Sequence, residues 1–197
     1  MGRYQTAEEG VRCEDMAYNQ LHFMQGALIP WYFGAHKFTL PNGHEIYGVI
    51  MEYVSGTSLG SKDMNALTAQ QQVQLVRSAD LAVRALEHAD VSQHDWHGQQ
   101  ILVKNHHSGT HCVFIDFAAA STSLHVADMH RTDDYGQVLD ILTHNPLLDA
   151  ELAFDSYGER RCWDDFGIIL KINGKTLTRF TQEPYQYVWD TKEQANE

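Results

Sequence analysis

A mixed α+β fold follows from three features of the chain. An Asn-Gly pair at Asn42-Gly43 separates two β-rich runs, a long amphipathic stretch opens at Thr68, and two shorter apolar runs flank a polar turn near residue 108. In order these read as helix, hairpin, hinge, long helix, loop and short hairpin, a mixture of local and sheet elements.

The first element is a helix from Ala7 to Gln25. Glu14, Ala17, Tyr18, Leu21 and Met24 recur at three- and four-residue spacing and share one face. Pro30 requires the helix to end before it. The runs Trp31 to Leu40 and Ile46 to Val54 then bracket Pro41-Asn42-Gly43, a hairpin signal because Asn and Gly tolerate positive φ. Ser55-Gly56-Thr57-Ser58, with Gly60, forms a hinge or loop. Thr68 and Gln71 are spaced for a capping box at the start of the long helix, whose apolar face carries Leu75, Ala79, Ala82 and Leu86. Ile101 to Lys104 and Cys112 to Phe117 are strands joined by a turn over 105–110. A helix follows from Tyr135 to His144, and Asn173-Gly174 marks another hairpin between Ile168–Ile172 and Thr176–Phe180.

Composition bounds the function. The chain has 197 residues, enough for one large domain or two small lobes sharing a cleft. Its 14 Lys and Arg against 26 Asp and Glu give a net charge of −12, a field that repels phosphate backbones, so nucleic acid is not an expected partner. A nucleotide is compatible, because Mg²⁺ held by acidic residues offsets that repulsion. The longest apolar stretch is interrupted by Gly48 and Glu52, so no membrane span is expected. Three widely spaced cysteines, Cys13, Cys112 and Cys162, form no metal or disulfide pattern, and a reducing, cytoplasmic setting is the expectation. His94, His97, His106, His107 and His111 cluster in sequence, but most lie beside the expected turn and lack the spacing of a zinc site.

The chemistry sits in two loops. After the long helix the chain reads Gln93-His94-Asp95-Trp96-His97-Gly98-Gln99-Gln100-Ile101-Leu102-Val103, and 21 residues beyond Asp95 stands Asp116-Phe117-Ala118. This order resembles the protein-kinase-like superfamily, whose catalytic loop is H-x-D-x-x-x-x-N before an apolar strand and whose metal loop is D-F-G after the next one. The texture is most similar to divergent kinase-like proteins of fungi. The resemblance spans roughly residues 10 to 145. It implies a two-lobed fold, with residues 1–55 as a reduced small lobe of helix and hairpin and 56–197 as a mainly helical large lobe.

The resemblance also assigns roles. Asp95 matches the catalytic aspartate that takes a proton from an acceptor hydroxyl. Asp116 matches the metal-loop aspartate, and Gln100 falls at the metal-binding asparagine. Glu14 lies where the ion-pairing glutamate would be, and Glu52-Tyr53-Val54 where the hinge receives adenine. ATP and Mg²⁺ are the implied cofactors, and a protein or small-molecule hydroxyl the implied acceptor. The chain departs from the pattern at Gln93, which replaces histidine, and at Ala118, which replaces glycine. Nothing before residue 10 reads as a glycine-rich phosphate loop or as a strand bearing the phosphate-binding lysine. Two readings stay open: an impaired ATP/Mg-dependent phosphotransferase, or a catalytically inactive pseudokinase serving as a binding or scaffold module.

Overall fold

A computed structural model describes residues 6–106, 109–122 and 133–157, and the backbone of three further strands at 169–172, 175–179 and 187–189. The chain divides into two compact units, Met1–Tyr157 and Gly158–Glu197. The architecture is mixed α+β.

The first unit begins with helix α1 (Ala7–Gln20), opened by a capping box in which Thr6 and Glu9 satisfy each other's backbone N–H groups. It stops five residues before the expected Gln25, and a short 3₁₀ turn follows at His22–Met24. The reason is local. The Gln25 side chain donates to the Tyr18 carbonyl at 2.9 Å and accepts from the Tyr32 N–H at 3.1 Å, so it folds the chain back onto the helix end. Gly26, at φ +74°, then makes a turn that no Cβ would permit, since the Trp31 ring occupies that space.

Strands β1 (Tyr32–Thr39) and β2 (Glu45–Met51) form the expected hairpin. Its turn differs from the expected Asn-Gly type. Only Gly43 has positive φ, at +81°, and Leu40 pairs with His44 around a three-residue loop. The register places Tyr32, Met51 and Tyr47 on the face toward α1, where they reach Asp15, Tyr18 and Glu8. Ile50, Phe38 and Ile46 lie on the other face.

Helix α2 (Ala69–His88) opens with the expected Thr68–Gln71 capping box and is the spine of the core. Leu75, Val76, Ala79, Ala82, Val83 and Leu86 are fully buried. It packs against a three-stranded sheet of β3 (Thr57–Ser58), β5 (Ile101–His106) and β6 (Gly109–Phe114), in the order β3-β5-β6. The β5–β6 ladder continues to His106–Gly109, so the loop expected over 105–110 shrinks to residues 107 and 108, which lie outside the described residues. The outer edge of β6 is closed. Gln74 accepts from the Thr110 N–H at 3.0 Å, Ser78 from the Cys112 N–H at 2.8 Å, and the Leu28 carbonyl from the Phe114 N–H at 2.8 Å.

Strands β4 (Val91–Ser92) and β7 (Ser121–Thr122) pair as a short antiparallel ladder, and helices α3 (Asp134–Thr143) and α4 (Ala150–Tyr157) pack on α2. In the second unit β8 (Ile169–Ile172), β9 (Lys175–Arg179) and β10 (Tyr187–Trp189) form an antiparallel sheet in the order β10-β9-β8. The first two pair as the Asn173-Gly174 signal implies, although those two residues, like Cys162, lie outside the described residues. Among the described residues, no helix is long and apolar enough to cross a membrane.

Candidate functional site

The two loops singled out in the sequence are joined by hydrogen bonds. Gln93 is fully buried, and its side-chain amide donates to the Asp116 carbonyl at 2.5 Å. The residue that departs from histidine thus ties the loop of Asp95 to the loop of Asp116. The β4–β7 pairing, with Ser92 opposite Ser121, continues the same seam, and His94 Nε2 lies 2.6 Å from the Ser121 hydroxyl. Burial lowers the His94 pKa, which favours a neutral ring beside that hydroxyl.

Asp134 anchors the loop from below. Only 1% exposed at the start of α3, its Oδ1 accepts from the Gln93 backbone N–H at 3.1 Å and from the Trp96 indole N–H at 2.6 Å. Trp96 also meets Phe114 edge-on, with ring centroids 4.9 Å apart. The residues flanking Asp95 are therefore fixed by the core, while Asp95 itself is exposed. Sequence reasoning missed Asp134. An aspartate in the first turn of a helix reads as a dipole partner, and nothing local reveals a bond to a residue 41 positions earlier.

Asp116 is exposed and adopts a left-handed backbone conformation at φ +65°, uncommon for a residue with a side chain. The Asp116 N–H is turned toward the Tyr18 phenol oxygen and the Phe117 N–H toward the Glu14 carboxylate, and each offsets part of the rise that burial imposes on those groups. Tyr18 is buried between Tyr32, stacked at 4.8 Å, and Phe117, met edge-on at 5.3 Å; its hydroxyl also donates to the Met51 sulfur at 3.7 Å. One side chain of α1 thus links the end of β2 to the loop of Asp116.

Glu14, one turn before Tyr18, faces Asp116. Burial first, and the Asp116 charge second, raise its pKa to about 7, against the opposing effect of the Phe117 backbone N–H. Among the described residues no lysine or arginine contributes to its electrostatics. Gln100 is buried at the far end of the loop, where its Oε1 accepts from the His97 N–H at 3.1 Å. Glu52 clasps Trp31: its N–H donates to the Trp31 carbonyl at 2.7 Å and its carboxylate accepts from the Trp31 N–H at 3.1 Å. Tyr53 is 90% exposed and Val54 half-buried.

The fold therefore brings Glu14 to Asp116 and its neighbour Phe117, and ties Gln93, two residues before Asp95, to the Asp116 carbonyl. It connects the strand leading into Glu52-Tyr53-Val54 to the same cluster through Met51 and Tyr18. Among the described residues, no group of three His, Cys, Asp or Glu is arranged to hold a metal ion, and His107 lies outside them. Cys112 is a buried thiol pushed up to about 12 by desolvation, and Cys13 is half-buried; neither is in a disulfide. No protein-family model and no curated protein matches this chain.

Proposed function

We propose that this chain is a protein-kinase-like domain with a reduced small lobe, and that its two joined loops form a nucleotide–magnesium site for transfer of a phosphoryl group to a protein or small-molecule hydroxyl. The observation that carries this reading is the bond between the Gln93 amide and the Asp116 carbonyl, with Glu14 facing Asp116 from α1. The resemblance to the kinase-like superfamily nominates Asp95, Gln100 and Asp116. A shared hydrogen-bonded frame around them is what a site acting on one ligand requires.

The side chains suit those roles. Asp95 is exposed between two pinned neighbours, the arrangement a general base needs to meet an incoming hydroxyl. The Asp116 backbone is held at its carbonyl by Gln93, while its carboxylate is exposed and offers hard oxygens suited to Mg²⁺. The Gln100 amide oxygen has one lone pair beyond its bond from His97 and would be the second protein ligand. Bound Mg²⁺ would neutralise charge on the transferring phosphoryl group. Glu52, Tyr53 and Val54 would receive the adenine.

A second reading has its own support. Gln100 is already engaged by His97, and Glu14 faces a carboxylate instead of a cation. Both favour a pseudokinase module that holds nucleotide without turning it over. ADP formation from Mg–ATP by the purified chain separates the two. Slow, metal-dependent ADP release that Asp95→Asn abolishes supports the phosphotransferase. Nucleotide binding with no ADP release supports the binding module.

A further inference from the structure

The first hairpin carries a surface that the proposed nucleotide site does not use. Of the nine large hydrophobic residues exposed among the described residues, seven lie between Trp31 and Ile50. The face turned away from α1 holds the cross-strand pairs Phe38–Ile46, His36–Gly48 and Gly34–Ile50. Phe38, Ile46 and Ile50 are each more than 40% exposed, and Phe33, at the register shift beside them, is 64% exposed. Glycine on alternate strands leaves a shallow trough, into which the Phe38 ring leans over Gly48. Scattered apolar residues are ordinary on a surface, but a concentrated patch marks an interaction site.

The main chain is open as well. No strand, loop or helix side chain among the described residues closes the outer edges of β1 from Gly34 to Thr39 or of β2 from Glu45 to Ile50. An open edge beside an apolar face is the template for an added strand, since backbone hydrogen bonds supply affinity and alternate side chains fill the face.

Charge selects among possible occupants. The net charge of −12 opposes a second copy of the chain. Between Trp31 and Met51 the one Lys or Arg is Lys37, which Glu45 already pairs at 2.6 Å, and Glu8 and Asp15 of α1 add carboxylates beside the hairpin. We propose that the β1–β2 hairpin docks an extended polypeptide strand from a partner protein, one that alternates apolar residues with lysine or arginine.

The test uses two fluorescein-labelled peptides of about ten residues, one alternating Val with Lys and one alternating Val with Glu, titrated against the full chain by anisotropy. Light scattering reports the oligomeric state in parallel. The expected result is a monomeric chain that binds the Lys peptide about tenfold or more tightly than the Glu peptide, with an affinity that falls as salt rises. Phe38→Thr and Ile50→Thr should each weaken that binding by about tenfold. Because both side chains are more than 40% exposed, the melting temperature should hold, and either variant alone suffices if the other misfolds. Equal affinity for the two peptides, no binding, or unchanged affinity in the folded variants overturns the proposal. A dimer that Ile50→Thr dissociates also overturns it, because the occupant is then a second copy.

Discussion

The molecule contains two hairpins of similar length in its first unit, and they are treated in opposite ways. The β5–β6 hairpin lies under α2, with Phe114 fully buried and the outer edge of β6 capped by Gln74, Ser78 and Leu28. The β1–β2 hairpin covers α1 with one face and leaves the other, together with the edges from Gly34 to Thr39 and from Glu45 to Ile50, uncovered among the described residues. Similar β-rich sequence thus produces a structural element in one place and an available surface in the other. The difference comes from the neighbour, because α2 supplies polar groups at the spacing of the β6 edge.

The sharpest contrast is a matched pair of truncations. Phe114→Ala should cost about 3–5 kcal/mol through loss of a fully buried ring, lowering the melting temperature by roughly 6–20 °C. Phe38→Ala, on a ring 42% exposed, should stay within about 1 kcal/mol. Equal losses in thermal melts of the two variants would show that the first hairpin is covered in solution and would remove the distinction.

Next in size is Asp134, which extends the closed character of the core to the loop of Asp95. Asp134→Ala leaves the Gln93 N–H and the Trp96 indole N–H without this acceptor, at a cost of about 2–4 kcal/mol. Chemical denaturation should detect it, and the Trp96 fluorescence should change with it. Asp134→Asn, which keeps one acceptor oxygen, should cost less.

A smaller effect is expected on the other side of the site. The raised pKa of Glu14, about 7 against an ordinary 4.5, means that the folded chain holds this proton more tightly than the unfolded one. Its ionisation therefore lowers stability as pH rises from about 4.5 through about 7, and below that window the penalty vanishes. Glu14→Gln should raise the melting temperature by about 2–4 °C near pH 8, the response to ~1 kcal/mol after allowance for partial solvent screening. Around pH 4 the variant and the parent should melt together. The opposite sign near pH 8 would mean that a cation sits against Glu14.

Much of this was readable in the amino-acid order. Thr68 and Gln71 marked the start of α2, its buried face followed from Leu75, Ala79, Ala82 and Leu86, the helix near Tyr135 emerged where periodicity placed it, and the strands flanking both Asn-Gly pairs are paired. Contacts between distant residues were not readable. Gln25 ends α1 early through bonds to Tyr18 and Tyr32, and Gln74 and Ser78 look like solvent-facing helix positions until the β6 edge meets them. Within the site, the resemblance nominated Asp95, Gln100 and Asp116. It carried no sign that Gln93 would reach the Asp116 carbonyl, that Asp134 would hold the loop, or that Tyr18 would bridge β2 to Phe117.

The proposed nucleotide–magnesium site rests on the seam joining Gln93 to Asp116. Its most direct test is thermal melting of the chain with ATP, with and without Mg²⁺, beside the Asp116→Ala variant. Ligand at about 100 times its dissociation constant should add about 2.7 kcal/mol and raise the midpoint by roughly 5–10 °C. The account requires that this rise depend on metal and disappear in Asp116→Ala. A cooperative melt that neither ATP nor Mg–ATP displaces would contradict it.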